Sequence, residues 1–181
     1  GTTGEYSITN RGSYGFALSN GYYVSQNKGV DKTAAVCRVS FVLPVASTVT
    51  FTFINYAEQG YDFGVFGNLD TELSTNYYSA GSSGATITDN SYKLACNTST
   101  YNKSSTQTLT YSNVAAGEHF IDVKYSKDDA SADNNVVNHN VHSFSIKLYD
   151  IGVLFDKLTT VITGCKALFN LCNLIFSVSY D

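Results

Sequence analysis

Apolar residues recur at every second position through most of the first 150 residues, and that period decides what the chain can fold into. In "AAVCRVSFVLP" the residues Ala35, Cys37, Val39, Phe41 and Leu43 share one parity, with Val36, Arg38 and Ser40 on the other, and Pro44 ends the run. A side-chain period of two belongs to a β-strand with one face turned to a core. "STVTFTFINYAE" repeats the pattern, placing Val49, Phe51 and Phe53 inward and Thr50, Thr52, Ile54 and Tyr56 opposite. "GEHFIDVKYS" does so with His119, Ile121, Val123 and Tyr125. Further short candidates are "EYSIT", "YGFAL", "GYYVS", "YDFGVF", "YKLAC", "TQTLTY" and "NVHSFSIKLYD". Many short strands separated by turn-rich connections, with no helical stretch between them, predict an all-β fold, an antiparallel β-sandwich of jelly-roll type over residues 1–150.

The period changes near the end. From Leu154 the apolar positions Leu154, Leu158, Val161, Cys165, Leu168, Cys172 and Ile175 are spaced by four and three, with Thr159, Lys166, Asn170 and Asn173 on the other side. This predicts a C-terminal amphipathic helix over residues 151–181, suited to packing or homo-oligomer assembly. A membrane span is the weaker reading, because the stripe is one-sided.

Composition bounds the function. Of 181 residues, 43% are hydrophobic, enough for a core. Eleven Lys and Arg against 15 Asp and Glu give a net charge of -4 without a basic cluster, which excludes nucleic acid as an expected partner. Met is absent even at position 1, so the chain reads as a piece of a longer polypeptide. Cys37, Cys96, Cys165 and Cys172 lack zinc-site spacing. Cys37 and Cys96 are compatible either with a cross-sheet disulfide or with two buried thiols. Sequons at Asn97 and Asn102 are short matches in a chain rich in Ser, Thr and Asn.

Three connections are long and polar, at residues 67–91, 97–105 and 126–140, and such loops in a sandwich are either binding loops or disordered. The stretch "YAEQGYDFGVFGNLD" at 56–70 adds aromatics and carboxylates. Tyr56, Glu58, Tyr61, Asp62 and Asp70 form the candidate ligand set, because tyrosine faces stack on sugar C–H groups while carboxylates accept from hydroxyls. The alternative is that they are solvated strand and turn residues. The loop "YSKDDASADNN" offers Asp128, Asp129 and Asp133 as hard oxygen ligands for Ca2+, although its spacing does not match an EF-hand and Asp and Asn are also ordinary turn residues. No catalytic triad, metal-binding His pair, phosphate loop or dinucleotide fingerprint can be assembled, so no enzyme activity is expected. His119 alternates with Ile121 and Val123 and is expected beside the core with its hydrogen bonds satisfied.

The ordered phrases "GFALSNGYYVSQNKGVDKTAAVCRVSF", "VTFTFINYAEQGYDFGVFGNLDTELS" and "GEHFIDVKYSKDDAS" resemble a β-sandwich module of virion appendage and tail-region proteins of gut bacteriophages and of surface proteins of their Firmicutes hosts. The resemblance spans roughly residues 10 to 149. Its most specific parts are Tyr56-Ala57-Glu58 with Tyr61-Asp62, the Leu69-Asp70 pair and Lys127-Asp128. After Lys127-Asp128 the chain departs from the module, with a longer, Asn-rich segment. The resemblance implies a non-catalytic virion structural or adhesive protein, with copies of itself, other virion proteins or surface glycans as partners. A carbohydrate-binding module of a secreted or cell-surface bacterial protein is the alternative. Both place the protein on a virion, outside the cell or at the cell surface.

Overall fold

Where the alternation is strongest, the strands are longest. In a computed structural model, which describes residues 6–101, 103–128 and 143–148, the period-two runs become β4 (Thr33–Leu43), β5 (Ser47–Tyr56) and β11 (Gly117–Lys127). Around them lie β1 (Tyr6–Arg11), β2 (Phe16–Ser19), β3 (Tyr22–Ser25), β6 (Phe63–Gly67), β9 (Tyr92–Cys96), β10 (Lys103–Val114) and β12 (Ser143–Leu148). A small hairpin is formed by β7 (Ala80–Gly81) and β8 (Gly84–Ala85). The β2–β3 turn is set locally. Asn20 and Gly21 both take positive φ, 50° and 78°, the two-residue geometry whose twist matches the strands it joins.

Two five-stranded sheets result, ordered β1-β4-β11-β6-β9 and β10-β5-β12-β3-β2, and all their strand pairings are antiparallel. The sheets meet through aromatic rings, making a β-sandwich. Phe66 of β6 lies 5.3 Å from Phe51 and 5.3 Å from Phe53 of β5, and 5.5 Å from Phe144 of β12, measured between ring centroids. Tyr125 of β11 stacks on Phe144 at 6.2 Å. Gly64 is required beneath this cluster, since a Cβ there would stand 2.4 Å from the Phe144 ring. The inward sets expected for β4, β5 and β11 are the ones that face this core: Val123 pairs with Cys37 on one side and with Phe66 on the other.

The expectation of half-buried strands fails in the first sheet. Val36 and Ala34 on the outward parity of β4 are buried, as are Asp122, Lys124 and Ser126 on the outward parity of β11. The cause is the segment between β6 and β9, which lies across that face. Leu73 and Tyr78 from it join Phe63 and Val65 in a second apolar cluster, flanked by Ala85, Ile87 and Ala95. The 67–91 connection, expected as a binding or disordered loop, is therefore a packed third layer.

The cysteine alternatives also resolve. Cys37 and Cys96 are free and buried. They lie in one sheet on β4 and β9, three strand positions apart, about 14 Å at the usual strand spacing and beyond a disulfide's reach. The C-terminal helix and its oligomer role fall outside the described residues. Among the described residues, no helix is long and apolar enough to cross a membrane.

Phe66→Ala is expected to lose about 3–5 kcal/mol of unfolding free energy in urea titration, against about 0.5 kcal/mol or less for Val42→Ala at a position 52% exposed. Burial pushes both thiols far up, so Cys37 and Cys96 should resist alkylation in the native protein and label only on unfolding, read by peptide mapping. Labelling of either thiol under native conditions contradicts the packing.

Candidate functional site

One end of the sandwich collects the C-termini of β3, β5, β9 and β11 and the N-termini of β4, β6, β10 and β12. The turns between them run over 26–32, 57–62 and 97–101. The 56–62 stretch is fixed in its middle. Glu58 accepts from the amides of Tyr61 at 3.3 Å and Asp62 at 3.1 Å, closing a turn through Gly60, whose φ is +85°. Gly60 in turn donates to the Asn97 carbonyl at 3.2 Å and accepts from the Ala85 amide at 2.9 Å. The β7–β8 hairpin and the β9–β10 connection thus clamp the turn from two sides.

Beneath the turn lies a buried polar network. Asp62 is 1% exposed, its Oδ2 3.1 Å from Lys127 Nζ and 3.4 Å from the Tyr125 hydroxyl that donates to it, while its Oδ1 accepts from the Asp128 amide at 3.2 Å. Lys32 donates its amide to the Asp128 carbonyl at 2.7 Å. Asn27 donates to the Tyr125 carbonyl at 3.1 Å and to the Thr33 carbonyl at 3.3 Å. Burial first, and the Asp62 carboxylate second, hold the Tyr125 phenol well above its ordinary range, so it stays a donor.

The candidate ligand set is therefore divided. Tyr56, 40% exposed at the end of β5, and the half-buried Glu58 and Tyr61 of the following turn are all at the loop-bearing end. Asp62 does not join them at the surface. It was expected to be free of the core because its parity opposes Phe63 and Val65, but those two residues face the covering segment, and Asp62 turns inward to meet Lys127. Asp70 is at the far end of β6, which alone spans roughly 17 Å at the usual rise per residue. There it holds the left-handed conformation, φ 56°, and caps β11: its Oδ1 accepts from the Phe120 amide at 2.8 Å and its Oδ2 lies 2.8 Å from His119 Nδ1. His119 Nε2 lies 3.0 Å from the Ala115 carbonyl, so the histidine has partners at both nitrogens, as its place beside the core led one to expect.

A residue the sequence reading passed over is Tyr101. It lies in the 97–105 connection just before β10, where Lys103 pairs with Asn55, and so reaches the same end as Tyr56. Its ring packs 6.5 Å from Phe53, and its carbonyl accepts from Gln107 Nε2 at 3.0 Å. The signal was its place in a polar loop, which says nothing of the neighbour it meets. Of the calcium set, Asp128 is buried, and Asp129 and Asp133 lie outside the described residues. Among the described residues no group of three or more His, Cys, Asp or Glu side chains is placed to hold a metal ion.

Asp62→Ala leaves Lys127 as a buried cation without its carboxylate, and a loss of about 3–5 kcal/mol in chemical denaturation is expected. A loss below about 1 kcal/mol, the size of an exposed pair, contradicts an anchoring role.

No protein-family model and no curated protein matches the chain. Among solved structures, the low-affinity xylan binding module CBM86 from the gut symbiont Roseburia intestinalis is similar, at 16% identity and a TM-score of 0.29, over 80% of this chain and 92% of that one.

Proposed function

We propose that the protein is a non-catalytic carbohydrate-binding module, displayed outside the cell or at its surface, that meets glycans with the loop-bearing end of the sandwich. The observation that carries this reading is Tyr56, 40% exposed at the end of β5, leading into a turn that carries Glu58 and Tyr61 and is clamped through Gly60. Flat aromatic rings offer apolar contact to sugar C–H faces, and a nearby carboxylate accepts from hydroxyls. A turn already held by its neighbours loses little further freedom on binding, which favours even a small contact.

The strand order supports a jelly roll within this reading. β3, β12, β5 and β10 face β4, β11, β6 and β9, and successive strands mostly change sheet, with β1 and β2 added at the edges. The virion-appendage reading rests on the sequence resemblance alone, and no feature of the described residues adds to it.

Affinity electrophoresis in gels containing plant and bacterial wall polysaccharides, together with a glycan array, tests the proposal. Retardation by at least one polysaccharide is expected, and Tyr56→Ala and Tyr61→Ala should each weaken it by about three- to tenfold, the worth of one aromatic contact, with the unfolding midpoint unchanged. Mobility unaffected by every glycan, or binding indifferent to both substitutions, would overturn it.

A further inference from the structure

The third layer encloses a group of reactive side chains for which the proposed binding role has no use. Lys124, on the outward parity of β11, and Asp89, in the segment before β9, are 0% and 3% exposed at their side chains, with Lys124 Nζ 2.9 Å from Asp89 Oδ2. Lys124 Nζ also stands 4.0 Å from the centre of the Tyr78 ring, and the Tyr78 hydroxyl donates to Asp89 Oδ2. The other carboxylate oxygen, Oδ1, accepts from the Ser74 amide at 2.7 Å. Phe63, Val65, Leu73 and Tyr78 close the apolar cluster around this arrangement. An amine, a carboxyl group, a hydroxyl donor on one carboxyl oxygen and an amide donor on the other are thus gathered where water is largely excluded.

We infer that Lys124 and Asp89 condense into an intramolecular amide, which joins the covering segment covalently to β11. In water the ammonium and carboxylate are each strongly hydrated, and the condensation does not proceed. Burial removes that hydration and favours the neutral pair, formed when the Lys124 ammonium passes a proton to the Asp89 carboxylate. The depressed proton affinity of Lys124, caused first by its desolvation, runs in the same direction. The Nζ lone pair then adds to Asp89 Cγ, and the charge developing on Oδ1 is met by the Ser74 amide. The Tyr78 phenol, kept protonated chiefly by burial, gives its proton to the Oδ2 hydroxyl as the Cγ–Oδ2 bond breaks and water departs. The surplus proton on Nζ returns to the Tyr78 oxygen. One ammonium and one carboxylate become one amide and one water, with no oxidant or reductant and with Tyr78 regenerated. Holding amine and carbonyl in contact supplies effective concentrations of about 10⁵–10⁸ M in well-oriented intramolecular reactions, the main driving term here.

The chain contains a built-in comparison. Lys127 and Asp62 are also a buried pair, 3.1 Å apart, but the hydroxyl donor there, on Tyr125, is 3.4 Å from the carboxylate. That separation lies beyond the usual O–H···O range, so the Tyr125 hydroxyl is poorly placed to protonate a departing oxygen.

Intact-mass spectrometry of the full 181-residue chain, reduced and denatured, decides the matter. The mass expected is one water below that of the sequence, with digestion yielding a branched peptide that joins Lys124 to Asp89. Lys124→Arg and Asp89→Ala should each restore the full sequence mass, and Tyr78→Phe should leave a large unlinked fraction. A wild-type mass equal to that of the sequence overturns the inference whether or not the variants fold, as does a missing water mapped to Lys127 and Asp62. Complete linkage in Tyr78→Phe removes Tyr78 from the reaction. None of these outcomes depends on whether a glycan binds.

Discussion

The polar side chains along the outer face of β11 govern the shape of the first sheet. Asp122, Lys124 and Ser126 alternate with the inward residues, so each points away from the inter-sheet core, and each is buried. Buried polar groups need partners, and the segment between β6 and β9 supplies one to each: the Leu73 amide to Asp122, Asp89 to Lys124, and the Tyr78 amide to Ser126 Oγ at 2.7 Å. Asp122 also receives Arg38 through two nitrogens, at 2.7 and 3.1 Å, and Arg11 through one. Arg38 lies flat over Phe120, 3.8 Å from its ring centre, and its guanidinium is held charged first by the hydrogen bonds to Asp122. Because a carboxylate this deep is costly when any partner is lost, the segment's register on the sheet is tightly specified.

That register reaches the loop-bearing end. The same segment carries the β7–β8 hairpin, and the hairpin holds Gly60 by the Ala85 amide, with Gly84 so close to the Gly60 carbonyl that an added Cβ would stand 2.6 Å from it. The 57–62 turn that follows Tyr56 is thereby tied to β11 twice, from above through the hairpin and from below through Asp62 and Lys127. Ordering of this kind suits the glycan-binding role proposed for this end of the sandwich.

Much of this architecture was legible residue by residue. The inward sets of β4, β5 and β11 follow from period two. What parity could not show is that the outward face would be covered. Polar residues at alternate positions read as solvated, yet Asp122, Lys124 and Ser126 meet partners roughly 35 to 50 residues away, a separation no local pattern encodes. The same blindness misplaced Asp62, and it made Asp70 look like a companion of Tyr61 when a whole strand lies between them.

The sequence by itself determined strand positions and inward faces, because side-chain alternation and turn chemistry act over a few residues and every local preference agrees with the sandwich. Only the tertiary structure decided which carboxylates are anchors and which strand face is covered. Those outcomes depend on long-range pairing of buried charges and on a covering segment, whose stability comes from contacts that exist only once both sheets are in place.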